Sequence, residues 1–419
     1  MFDRHYRRRL DDDLLRWQAD GTISADAGDA IRRALGPIPG EIGVATMVGI
    51  AGGLLIAAAF LAFVAANWSG IPRVARFAML LVGIGGAHGL GAWFARQGRP
   101  YLADTAVAVG TIVFGASIAL VGQMYHLAGD FAAALLFCGL GALAAAALTA
   151  SRGALAVALV AACMWSWVRI FDFDNIPHLL FIAFWVVAVG LTIAWDSRPA
   201  RHLVSIAMLF WWTATTIRLS EVHSEAAIPV LAAGASLVLG GGLLVQTRGS
   251  ESVRALGATL ADYGAFALAV VLPLAVSNLF SRWSTEFPLW IVGCGVVGFA
   301  LAIATSVLAR RPGFAIAGAA IALSLVAAAA RGQVFPGGEW SSYAMAIAAV
   351  LCLIVSGMLE EARPRLVAGW IGFAAVIATI TWVVRATLLT RSLFLATAGV
   401  VAVLLALALG RLLPREASR

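Results

Sequence analysis

Ile42–Ala66 reads IGVATMVGIAGGLLIAAAFLAFVAA; Asn67-Trp68-Ser69-Gly70-Ile71-Pro72-Arg73 follows, and then a second apolar run, VARFAMLLVGIGGAHGLGAWFA, ends at Ala95. The first run carries no charge over 25 residues. At about 1.5 Å of rise per residue it crosses a hydrocarbon core of roughly 30 Å. The link sets Trp and Asn where a helix meets water, and Gly70 and Pro72 where a helix must stop and restart. The pair reads as a transmembrane hairpin, and the chain downstream repeats its logic.

Composition agrees with that reading. The 419 residues are 62% hydrophobic and 12% charged, with a mean hydropathy of +0.93, far from the balance of a soluble domain. The net charge of +7 would suggest nucleic acid in a soluble protein. Here the basic residues, all 29 of them Arg, sit singly or in pairs between apolar runs. That is a topology signal, and no nucleic-acid partner is expected. Cys138, Cys163, Cys294 and Cys352 each fall inside an apolar run without metal or redox spacing and read as small buried hydrophobes. The first apolar run is too long for a signal-peptide core and follows a charged segment.

Residues 1–40 differ in kind. Leu10, Leu14 and Trp17 form a helical stripe that Gly21 ends, and Ser24 can cap a second helix running to about Leu35. Pro37, Pro39 and Gly40 then break the chain. This small helical hairpin either packs on its own membrane domain or docks a cytoplasmic protein partner. From Ile42 about fourteen apolar runs follow, the last ending near Leu412, and the run Leu203 to Ile217 is short for a full crossing. The links are too short for soluble domains, so successive helices are antiparallel neighbours. The expected class is an all-α polytopic transmembrane bundle. It divides into a cytoplasmic hairpin over 1–40, a membrane domain over 41–412 and a cytoplasmic tail over 413–419. With both termini inside, the inner segments hold 21 arginines and the outer links 8, the bias expected of that orientation.

Several residues carry possible chemistry. Gly49, Gly53, Gly85 and Gly89 have the spacing of close helix packing. His88 lies well inside a span, either as a proton relay or ligand anchor, or as a neutral imidazole bonded to a neighbouring helix. Asp104 and Asp262 each follow Leu-Ala at the inner side of a span, which hints at a duplicated bundle; N-terminal capping explains either Asp alone. On the predicted outer face the first link offers Asn67, Trp68 and Arg73, and a later link offers Gln123, Tyr125, His126 and Asp130. If the first helices form one bundle, these links make a polar patch that either binds a ligand or anchors the helices at the interface. An Arg73–Asp130 pair is the purely structural alternative. The tryptophans lean toward the same outer ends as Arg169 and Arg218, either as an aromatic belt or as the lining of a cavity for an amphipathic or anionic ligand. No metal, nucleophile or paired-carboxylate constellation points to an enzyme, and no cofactor is implied.

Leu14-Leu15-Arg16-Trp17, Gly21-Thr22-Ile23-Ser24, Phe63-Val64-Ala65-Ala66-Asn67-Trp68 and Gly122-Gln123-Met124-Tyr125-His126-Leu127 together resemble the bacterial membrane-protein family known as domain of unknown function 2157. The resemblance covers the first third of the chain. It implies a helical hairpin ahead of a polytopic inner-membrane domain, and carries over no activity, substrate or catalytic residue. The expected function is binding or translocation of a small or lipid-linked ligand within the bilayer. A membrane scaffold or sensor docking a partner through the hairpin comes second, and a membrane-embedded enzyme third.

Overall fold

A computed structural model describes residues 10, 13–35, 48–49, 51–53, 55, 58–59, 62, 71–124, 130–222, 227–277, 289–329 and 339–383. The chain forms two compact units, Met1–Val113 and Phe114–Arg419. Among the described residues the regular structure is helical. Ten of the described helices are long and apolar enough to cross a membrane, and two shorter apolar helices accompany them. Most of the first apolar run, the last run and the tail 413–419 lie outside the described residues.

The first unit opens with the expected hairpin. Its first helix ends where Gly21 turns left-handed at φ 72°, with the Thr22 amide donating to the Trp17 carbonyl at 2.8 Å, a closure that favours glycine. Helix α1, Ala25–Leu35, starts at Ser24, whose hydroxyl accepts from the Ala27 amide at 3.2 Å. Leu14 is buried, while Trp17 of the same stripe is exposed. The unit continues with α2, Arg73–Arg96, and the first half of α3, Pro100–Met124.

The second unit holds the rest of α3 and ten further helices. These are α4 (Phe131–Thr149), α5 (Arg152–Phe171), α6 (Leu180–Ala194), α7 (Arg198–Val222), α8 (Ala227–Val245), α9 (Glu251–Val276), α10 (Leu289–Ala309), α11 (Pro312–Ala329), α12 (Glu339–Leu359) and α13 (Arg363–Val383). The doubtful run at 203–217 belongs to a helix long and apolar enough for a full crossing, because α7 begins at Arg198 and adds its polar first turns to the run. The short helix is α6, with 15 residues. Helix α8 is the hub, packing against α9 and α10. Lipid tails are as apolar as leucine, so close backbone approach takes over the role that water exclusion has in soluble cores. A Cβ at Gly264 of α9 would stand 2.4 Å from the Leu239 amide nitrogen of α8, and one at Gly240 of α8 would stand 2.0 Å from the Gly298 carbonyl of α10. Only glycine allows these contacts. Leu239, Leu243, Ala261, Leu268, Phe314 and Leu353 fill the core around them.

One turn recurs along the chain. Gly98, Ala150, Asp196, Gly249, Arg310 and Glu361 all have positive φ, and each stands two residues before the first residue of the next helix. After each helix end the chain therefore passes through the left-handed conformation, a single residue follows, and a new helix begins. In three of the six, an amide reaches back five residues to close the helix end: Arg99 to Phe94, Arg311 to Ser306 and Ala362 to Gly357. Arg-Pro at 99–100, 198–199, 311–312 and 363–364 supplies the restart. Proline fixes φ for the new helix and fits its first turn, where no amide donor is needed.

Candidate functional site

The sequence candidates fare unevenly. Asn67, Trp68, Tyr125 and His126 lie outside the described residues, as do the side chains of Arg73 and Gln123, which belong to α2 and α3. Asp130 is resolved as the N-cap of α4: one carboxylate oxygen accepts from the Ala132 amide at 2.9 Å, and the other pairs with Arg169 of α5 at 3.1 Å. Asp130 thus has a structural partner in Arg169, where the sequence offered Arg73. His88 is half-buried, and its Nδ1 bonds the Ile84 carbonyl of its own helix at 2.9 Å. Its ring occupies the notch left by Gly110, where a Cβ would come within 2.4 Å of it. Of the alternatives the sequence left open, the bond to a neighbouring helix is replaced among the described residues by this intrahelical one. Gly49 and Gly53 face Leu102 and Thr105 of α3, in keeping with packing. Gly85 and Gly89 meet no described atom within 4 Å.

The outer arginines are engaged as well. Arg218 pairs with both Asp174 and Glu221, and Arg169 pairs with Asp130 and stacks over Phe173 at 4.7 Å. Trp165, Trp211 and Trp212 are buried, where an aromatic belt would expose them. They form an interior cluster: Trp165 meets His178 edge-on at 4.4 Å, and Trp211 lies 5.8 Å from both Phe181 and Trp212. His178, in the link before α6, is buried with Nδ1 3.1 Å from the Ser166 hydroxyl. Burial, aided by the nearby Arg169 charge, pushes its pKa down to about 4.

A cavity of about 770 Å³ between α7, α8 and α9 gathers the polar groups that remain. Leu231, Ala235, Phe266, Val270, Val271 and Leu274 give it apolar walls. Its polar end holds His202 of α7, Thr259, Asp262 and Tyr263 of α9, and Pro364 at the start of α13. His202 and Tyr263 stand ring to ring at 5.8 Å. From Thr259 to Leu274 the cavity follows α9 for fifteen residues, about 22 Å along the axis. Asp262 lies eight residues past Arg254, about 12 Å deeper in the helix. Neither it nor Asp104 stands in a first turn, so capping accounts for neither. The Asp262 carboxylate makes no hydrogen bond or ion pair among the described residues. Behind it, Arg365 of α13 is fully buried; its Nη1 donates to the Ser356 hydroxyl at 3.3 Å and its Nε is without a partner. Asp262 and Glu360 both attract this guanidinium electrostatically, and Glu360 is itself paired with Arg311 at 3.2 Å.

Sequence reasoning had singled out Asp262 as an echo of Asp104 and had passed over His202, Tyr263 and Arg365. The available signal was depth, because each is a polar group on a helix that crosses the membrane.

This architecture defines an all-helical polytopic membrane protein. Residues 15–155 match the model of a family described as predicted membrane protein, DUF2157, the family that the N-terminal motifs resemble. No curated protein and no solved structure matches the chain. The cavity residues, 202 to 364, all fall after the matched segment.

Proposed function

We propose that the second unit binds an amphipathic ligand in the cavity between α7, α8 and α9. The observation that carries this reading is the one-sided polarity of the cavity: a long apolar trough ends at Asp262, Tyr263 and His202. Thr213 and Val270 on its rim are exposed, which gives an apolar chain a lateral way in from the bilayer. Apolar walls with a few convergent polar groups are the usual composition of a ligand site. A dodecyl alcohol brominated at mid-chain tests the reading in lipid nanodiscs. It is expected to quench Trp212 saturably, with the response lost in Trp212→Phe and weakened at least tenfold by Ala267→Phe, which fills the trough. Quenching that rises linearly with probe and ignores Ala267→Phe would mean partition into lipid and no site.

A second reading has its own observation. The N-terminal hairpin buries Leu14 yet leaves Leu15 58%, Trp17 42% and Ile31 38% exposed, a surface suited to a cytoplasmic protein partner. Leu15→Ser with Trp17→Ser is expected to leave the alkyl probe bound while abolishing any cellular phenotype of the gene. Loss of probe binding in that variant would count against a separate docking role.

A further inference from the structure

Asp262 is the formally charged side chain among the described residues lining the cavity, and no arginine lines it. A carboxylate in an apolar trough is costly unless something neutralises it and satisfies its oxygens. Arg365 is close enough to be attracted, yet no ion pair forms. The guanidinium is held by Ser356 with its Nε unpartnered and is closed off from the cavity by burial. A simple internal ion pair would have brought these two groups into hydrogen-bond contact. Instead Asp262 lines the cavity without a hydrogen bond or ion pair among the described residues.

The aromatic lining has the same preference. Phe266 is four residues after Asp262 and so lies one turn along the same face. Tyr263, Trp212 and the His202 ring complete the surroundings. Aromatic faces attract cations, most strongly where water is excluded. An anionic headgroup would meet a like charge here with no exposed guanidinium to receive it.

We propose that the ligand of this cavity is an organic monocation with an apolar body, an ammonium or phosphonium class of molecule whose charge rests against Asp262. The inference depends on the cavity being a ligand site at all, and the experiment separates the two. Tetraphenylphosphonium and tetraphenylborate are nearly identical in size and shape and opposite in charge. Binding of each is measured by equilibrium dialysis against protein in zwitterionic nanodiscs, with empty nanodiscs subtracted, alongside the brominated alkyl probe. The cation is expected to bind saturably and to displace the alkyl probe, and the borate to do neither. Asp262→Asn combined with Arg365→Met removes both charges together, so that neither is left buried alone. This double variant is expected to weaken cation binding at least tenfold and the uncharged alkyl probe far less, and Asp262→Glu to retain cation binding. Melting curves of each variant check that the bundle is intact. If the borate binds as well as the cation, or the double variant still holds the cation, the charge assignment is wrong and the cavity reading stands. If neither ion nor the alkyl probe binds the native protein, both fail together.

Discussion

His178 gives the clearest residue-level expectation. In an unfolded chain its imidazole takes up a proton near pH 6.5, whereas the folded protein holds the proton off until about pH 4. Between those values the unfolded state binds more protons, so stability falls as pH drops through the window and is level above about 6.5. The full window is worth about 3 kcal/mol. Thermal unfolding in detergent at pH 7.5 and pH 4.5 is expected to show this fall, and His178→Gln to flatten it. The left-handed turn positions give a second expectation. Gly98 has φ 70° with nothing within 4 Å of a Cβ placed there, so Gly98→Ala isolates the conformational cost. It is expected to destabilise by about 1 kcal/mol, and Ala150→Gly, at φ 51°, to stabilise by a similar amount. Denaturant midpoints of the three proteins measure both.

At the scale of helices, the α8–α9 seam should tolerate nothing larger than hydrogen. Gly264→Leu would drive its Cβ into the Leu239 backbone and is expected to cost about 3 kcal/mol or to prevent folding. Gly241→Ala, one residue from the glycine that meets Gly298, faces open space and is expected to be neutral. Melting temperatures of the pair decide whether position or mere glycine content matters. Which elements exist was largely legible: Gly21, Ser24 and Leu35 mark the hairpin where the structure has it, and uninterrupted apolar length marks the crossings. Depth and partnership were less so. Asp262 read as the start of a span because the apolar run begins beside it, while the helix begins eleven residues earlier at Glu251. The buried tryptophans read equally as a belt or as a cavity lining because position along a helix is visible in sequence, and the direction a ring faces within a bundle is decided by neighbours remote in the chain. The repeated Arg-Pro was in plain view, yet its meaning depends on the backbone conformation two residues before each new helix.

For the whole molecule, the arginine bias and the recurrent turn make one topological statement. Reporter fusions after Gly40, Gly249 and Glu361 are expected on the cytoplasmic side and one at Gly129 on the opposite side; signals that divide Gly249 from Glu361 would overturn the orientation. A protein lacking residues 1–36 is expected to insert and fold, because each membrane helix satisfies its own backbone groups. The recurrent turn also bears on how such a chain is made. With only two to five residues between the two helices at these turns there is little slack for the first to settle in the bilayer while the second waits in water. The two must enter as a folded couple, so the insertion machinery handles this protein in units of two. A misplaced arginine therefore cannot invert one helix; it inverts a pair or none, and errors of biogenesis should appear in even numbers.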